Sequence, residues 1–244
     1  MRDAGRVVST VLASLRDAVA PGVSTYELDQ LALKICRTHG GSPSFLGYKG
    51  YPGSICASLN REVVHGIPSR ERILREGDIV KLDFGCRLRG LHADSAVTVP
   101  VGKVSDEIMQ LLQVTRESLW AGIGAIRLRG GLKEVSAAIQ EHVEKHGFSV
   151  VREMVGHGIG SKLHEEPQVP NYVDDQHPNP ILLEGMTLAI EPMVNLGSPE
   201  IEILADQWTV VSADGSASAH FEHTVAITRN GPDILTLGPH DPGR

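Results

Sequence analysis

The stretch GDIVKLDFGCRLRGLHADSAVTV, residues 77–99, decides the fold. Its first limb alternates with the period of a strand. Val80, Leu82 and Phe84 point one way, and Ile79, Lys81 and Asp83 point the other. The segment CRLRG is read as the turn, and the chain returns as a second strand, LHADSAVTV, which carries Asp94. Two such strands around a short turn make an antiparallel hairpin. Each limb also holds a carboxylate, which is costly in an apolar strand unless it is paired, protonated or bound to a cation.

The same reading extends outward. Val7, Val8, Val11, Leu12 and Leu15 predict a helix from near Arg2 to Ala20, ended by Pro21-Gly22. Ser24-Thr25-Tyr26-Glu27 reads as a capping box opening a second helix that runs to about His39. Two more helices are expected, from Asp106 to Ala125 and from Leu132 to His146. Strands follow in FSVVREMVG, MTLAIEPMV, QWTVVSA and HFEHTVAIT, and Asn171 to Asn179 is expected as a surface loop. The order helix, helix, strands thus occurs twice. This predicts an α+β fold of two similar halves of antiparallel strands, roughly 1–104 and 105–235, within one domain over 1–244. The tail GPHDPGR is expected to fray.

The totals narrow the function. Hydrophobic residues make up 41% of the 244, enough for a sizeable core. The net charge of −7 argues against nonspecific binding to nucleic acid, whose phosphates require a basic surface. Cys36, Cys56 and Cys86 are odd in number and widely spaced, which points to core thiols in a reducing compartment. No apolar run reaches the roughly 18 residues of a membrane span. The N-terminus reads as a helix and not as a signal peptide. A cytoplasmic protein with no membrane partner is expected, and nothing demands more than a monomer.

Five residues carry the chemistry: Asp83 in VKLDFG, Asp94 in LHADSAV, His157 in VGHGIG, Glu191 in LAIEPMV and Glu222 in HFEHTVAI. Each stands inside an apolar segment. Nearby Lys and Arg are too few to neutralise four carboxylates, whereas a pair of divalent cations would. The hard oxygen donors with one imidazole suit Mn, Fe(II), Co or Zn better than a Cys-rich structural zinc site would. Two metals about 4 Å apart share carboxylates and hold a bridging hydroxide, which predicts hydrolysis.

With LGYKGYPGSICASLNREVVHGIP (46–68), GHGIGSKLHEEPQVPNY (156–172), GMTLAIEPMV (185–194) and FEHTVAIT (221–228) added in order, the chain resembles the type I methionine aminopeptidases, of the pita-bread fold. The resemblance covers nearly the whole chain and implies roles. Asp83 chelates one metal, Asp94 and Glu222 bridge two, and His157 and Glu191 complete the second. Glu191 also carries the proton of the attacking water. His164 contacts the substrate carbonyl and stabilises the tetrahedral intermediate, and His65 lies near the scissile amide. Tyr48, Tyr51, Cys56, His65, Leu163, His164 and Trp208 line or cap the methionine pocket. Gly156, Gly158 and Gly160 let backbone pass close to the metals. Asn60 and Ser218 match positions near a structural monovalent cation. Phe45 and Val64 stand where cysteines are common in the family, and Leu163 where an aromatic is common.

The implied activity is removal of the initiator methionine from nascent polypeptides, with preference for a small second residue. Two rivals remain. A proline-specific aminopeptidase or dipeptidase of the same fold usually carries an extra N-terminal domain. A non-catalytic binding protein on this scaffold typically loses metal ligands, and all five are present here. The zinc-finger extension that some relatives use for ribosome contact is not seen, so the sequence offers ribosome association no support.

Overall fold

The structure, a computed structural model, describes residues 1–176 and 178–238. His177, within the expected loop, and residues 239–244 of the tail lie outside the described residues. Helix α1 (Arg2–Ala18) buries the predicted stripe of Val7, Val8, Val11, Leu12 and Leu15. It ends two residues early, with Val19 already extended; Pro21 disfavours the helical region for Ala20, the residue before it. At α2 (Thr25–Thr38) the capping box forms as read. The Ser24 hydroxyl accepts from the Glu27 amide at 3.2 Å, and the Ser24 amide donates to Glu27 Oε2 at 2.8 Å. Helices α3 (Asp106–Ala125) and α4 (Leu132–Lys145) pack on each other; the Ser105 hydroxyl caps the first of them.

Strands β1 (Cys56–Leu59), β2 (Ile79–Leu88) and β3 (Leu91–Pro100) open the main sheet. Leu88 pairs with Leu91, so the hairpin turn is Arg89-Gly90 alone, with φ of 51° and 83°. Two left-handed residues give a two-residue turn whose twist matches that of the strands. The turn is therefore shorter than CRLRG, and Cys86 to Leu88 belong to the ladder.

The strands that follow and shape the centre are β4 (Gly156–Gly158), β5 (Glu165–Val169), β6 (Thr187–Ile190), β7 (Met193–Asn195), β8 (Ser218–His220) and β9 (Glu222–Thr228). The main sheet is antiparallel and runs Ser42–Pro43, β2, β3, β9, β6, β4, β5, with β1 paired to β2 and Gly231–Ile234 to β9. A smaller sheet joins β8, β7 and Ser149–Val150. Three expected strands are broken. FSVVREMVG keeps only Ser149–Val150 and the start of β4. MTLAIEPMV splits at Glu191-Pro192, since proline has no N–H for the ladder. The third break, at Phe221, separates β8 from β9. At both of the latter points the chain passes from one sheet to the other.

The helices cover one face of the main sheet. Val80, Leu82 and Phe84 pack into a core with α1 and α2. Leu188, Ile190, Val225 and Ile227 pack with Leu119, Ile123, Leu132, Val135 and Ile139 of α3 and α4. The α+β class expected from the sequence is the one observed. Because strand residues alternate between faces, the neighbours of these apolar residues, Asp83, Glu191 and Glu222 among them, are left on the side away from the helices.

Candidate metal centre

Register assembles the acidic residues. Ala96 on β3 pairs with Asp83 on β2 and with Glu222 on β9, so the two carboxylates flank one methyl group. Asp94, two residues before Ala96, shares that face. His157 on β4 pairs with Ala189 on β6, and Glu191 lies two residues beyond Ala189. One ligand atom from each of Asp94, His157 and Glu222 fits within 4.8 Å of the others, and so does one from each of Glu191, His220 and Glu222. Asp83 is in neither group, but it lines the same cavity and its carboxyl faces those of Asp94 and Glu191, so all five residues singled out in the sequence lie around one centre.

Electrostatics show what such a cluster lacks. Burial pushes Asp94 up to about 7. Burial and then the neighbouring carboxylates hold Asp83, Glu191 and Glu222 well above the ordinary carboxylate range. Asp83 Oδ1, Asp94 Oδ1 and Glu222 Oε1 are buried without a hydrogen-bond partner. His157 donates Nδ1–H to the Gly158 carbonyl at 2.9 Å, since a carbonyl only accepts. Its Nε2 therefore turns a lone pair toward Glu191 Oε1, 3.6 Å away. A lone pair facing a carboxylate is unfavourable unless a proton or a cation lies between them. The orphaned oxygens and this imidazole fit divalent ions of the kind read from the sequence.

The centre opens into a cavity of about 1060 Å³, lined by Phe45, Tyr48, Tyr51, Cys56, Val64, His65, Leu163, His164 and Trp208 as well as by the acidic cluster. Tyr51 lies edge-on to Trp208 at 5.0 Å, with its hydroxyl near the carbonyls of Ile55 and Gly66. Tyr51, Cys56 and Leu163 form an apolar cluster with Phe45 and Ile159. The three departures Phe45, Val64 and Leu163 all face the cavity. His164 bonds through Nδ1 to the Tyr48 hydroxyl at 2.8 Å, and its ring centroid is 4.3 Å from that of His157. Glu165 shapes the turn before it, accepting from the Lys162 amide and the Ser161 hydroxyl. His65 sits at φ 60°, a strained position for a side-chain-bearing residue, beside Trp208. Burial lowers both His65 and His164 to about 4, so both are neutral near pH 7.

The glycines of GHGIG let other chain segments approach closely around His157: a Cβ at Gly156 would meet Ala189 O at 2.3 Å, one at Gly158 would meet Glu166 O at 2.2 Å, and one at Gly160 would touch the Glu165 carboxylate. The structure corrects two readings. The monovalent-cation site does not fit. The carbonyls of Asn60 and Ser218 both accept from Lys81 Nζ, at 2.7 and 2.8 Å. Lys81 is 1% exposed, and burial lowers it to about 7. Asn171 is not on a surface loop; it is buried, and its amide donates to Glu191 O at 3.0 Å.

Sequence reasoning also missed His220, which is 1% exposed with Nε2 3.5 Å from Glu191 Oε2. The signal was present, because His220 stands two residues before Glu222 in the same apolar segment.

Comparison with known proteins agrees with this geometry. Methionine aminopeptidase 1 of Bacillus subtilis is 52% identical over 236 residues, which are 97% of this chain and 94% of that protein. The crystal structure of methionine aminopeptidase from Thermotoga maritima superposes with a TM-score of 0.94 at 45% identity, covering 97% of this chain and 94% of that one. Xaa-Pro dipeptidase from Bacillus anthracis has a TM-score of 0.76 at 21% identity and is covered over only 60% of its length, a likeness of fold alone. The fold is the pita-bread fold that the resemblance implied. The model of metallopeptidase family M24 matches residues 1–229, and it spans every strand that brings a carboxylate or imidazole to the centre. The chain belongs to metallopeptidase family M24.

Proposed function

We propose that this chain is a methionine aminopeptidase that removes the initiator methionine from nascent polypeptides. The observation that carries the reading is that the carboxylate–imidazole cluster and an apolar, partly aromatic wall line a single cavity. Asp83, Asp94, His157, Glu191 and Glu222 would hold two divalent ions, with carboxylates enough to neutralise both. Bound there, the ions supply Lewis acidity and a water nucleophile at neutral pH. Mn, Fe(II), Co and Zn all suit this donor set.

The chain's own groups do the rest. Tyr48, Tyr51, Cys56, His65, Leu163, His164 and Trp208 receive the methionine side chain, whose thioether suits an apolar and partly aromatic wall. His164 is neutral and anchored at Nδ1 by Tyr48, which directs Nε2 at the first carbonyl, where it donates to the developing oxyanion. His65, held beside Trp208, lies near the scissile amide. Glu191, as the carboxylate, takes the proton of the attacking water and passes it to the leaving amine. We assign the whole chain to one catalytic domain with two similar halves, acting as a cytoplasmic monomer on newly made N-termini.

Peptide selectivity tests the reading. Free methionine should be released from Met-Ala-Ser and Met-Pro-Lys by metal-loaded protein, while Ala-Pro and Gly-Pro substrates stay intact. Cleavage of the proline substrates alone would move the assignment to the proline-specific relatives. No hydrolysis, with no metal retained, would make the chain a binding protein.

A further inference from the structure

The crossover between β8 and β9 delivers two side chains to the centre, His220 and Glu222, and ligand atoms of both come within 4.8 Å of Glu191. Glu191 itself stands at the other crossover, Glu191-Pro192, and Met193 just beyond it pairs with His220 across β7 and β8. The two crossovers are thus locked side by side. The Glu191 carboxylate has an imidazole at each oxygen, His157 Nε2 at 3.6 Å from Oε1 and His220 Nε2 at 3.5 Å from Oε2.

The two imidazoles are not equivalent. His157 has its proton fixed on Nδ1 by the Gly158 carbonyl and offers Glu191 a lone pair. His220 has neither nitrogen hydrogen-bonded, although it is 1% exposed. A buried polar group without a partner is costly, and buried imidazoles place their one N–H on an acceptor. Glu191 Oε2, 3.5 Å from Nε2, is an acceptor within reach. From 3.5 Å a small rotation of either side chain brings the pair to hydrogen-bonding distance.

We infer that His220 is a positioning residue for the metal centre: its Nε2–H holds Glu191 Oε2 and so leaves Oε1 to share an ion with His157. This rests on the metal-centre reading above. A carboxylate free to rotate about its last bond presents either oxygen, or both, to an ion. An N–H fixed on one oxygen selects the other. Hydrogen bonds of this kind to ligating groups orient the ligand, and their removal weakens metal binding by about 10- to 100-fold. Asn171, which donates to the Glu191 main-chain carbonyl, fixes the backbone of the same residue, so Glu191 is restrained at both ends.

Metal affinity and a Co(II) spectrum test this without recourse to turnover. His220→Gln keeps an N–H donor of similar reach, His220→Asn shortens it, and His220→Leu removes it. Stripped protein is titrated with Co(II) by calorimetry, and the visible absorption of the Co(II) centre is recorded. Native protein and His220→Gln should agree within about 3-fold in affinity and in band position. His220→Asn and His220→Leu should bind about 10- to 100-fold more weakly, with altered bands. If the Leu variant does not fold, the Gln and Asn pair carries the comparison. Unchanged affinity and spectrum in the Asn and Leu variants would overturn the role. So would a Gln variant as impaired as Leu with one nitrogen donor fewer in its X-ray absorption spectrum, since His220 would then be a direct ligand. Native protein that binds no Co(II) would instead sink the metal-centre reading itself, and this inference with it.

Discussion

His157 and His164 have rings 4.3 Å apart, yet their hydrogen bonds assign them to different work. His157 is anchored to a backbone carbonyl and turns its lone pair into the carboxylate cluster, whereas His164 is anchored to the Tyr48 hydroxyl at the cavity wall. His164→Ala should lower kcat by about 10²- to 10³-fold, the usual effect of losing one oxyanion donor, with bound metal unchanged by elemental analysis. Loss of metal along with activity would make His164 a ligand instead. Which residues were legible in the sequence follows from chemistry. Asp83, Asp94, Glu191 and Glu222 stood out because a carboxylate in an apolar strand has few innocent explanations. His220 met the same test but was not singled out, since a lone imidazole among apolar residues reads as ordinary core. Asn171 was misread because a Pro-containing polar run looks like a surface loop, while its side chain in fact reaches the Glu191 carbonyl.

At the scale of strands, the centre depends on a row across β2, β3 and β9 in which Ala96 separates Asp83 from Glu222. Its methyl leaves space between two carboxylates. Ala96→Leu should fill that space, costing about 1–3 kcal/mol of stability from overpacking and abolishing tight Co(II) binding. Native affinity in a folded Ala96→Leu protein, read by calorimetry, would show that the row does not shape the centre. The hairpin and the helices were readable because alternation, caps and Pro-Gly stops are local signals. The crossovers at Glu191-Pro192 and Phe221 were not, because a strand that changes sheets looks like one continuous strand in sequence. Pro192 marks one break by its missing N–H, but nothing local says that the chain re-enters a different sheet there.

Across the whole molecule, the carboxylate cluster couples metal, protons and stability. Asp83, Asp94, Glu191 and Glu222 have folded-state values above their unfolded ones, so the metal-free fold binds more protons than the unfolded chain. Their contribution is fully present below about pH 4 and is lost as pH rises through about 7, where Asp94 titrates, and beyond for the others. The lowered values of His65, His164 and His220, and of Lys81, act in the opposite sense. None of these four is assigned as a ligand, so their effect largely cancels when metal-loaded and metal-free protein are compared at one pH. Ions displace the carboxylate protons. The rise in Tm on adding excess Mn(II) should therefore be larger at pH 8 than at pH 6.5. An equal rise at both values would mean that the ions bind outside this cluster.

The central claim is that ions held by the buried carboxylates make this chain an aminopeptidase. The most direct measurement is release of free methionine from Met-Ala-Ser by metal-stripped protein as Mn(II), Co(II), Fe(II) or Zn(II) is added back, with Glu222→Ala beside it. The account predicts no release without metal, restoration by at least one of the ions, and none from Glu222→Ala. Release by the fully stripped protein, or equal release from Glu222→Ala, would contradict it.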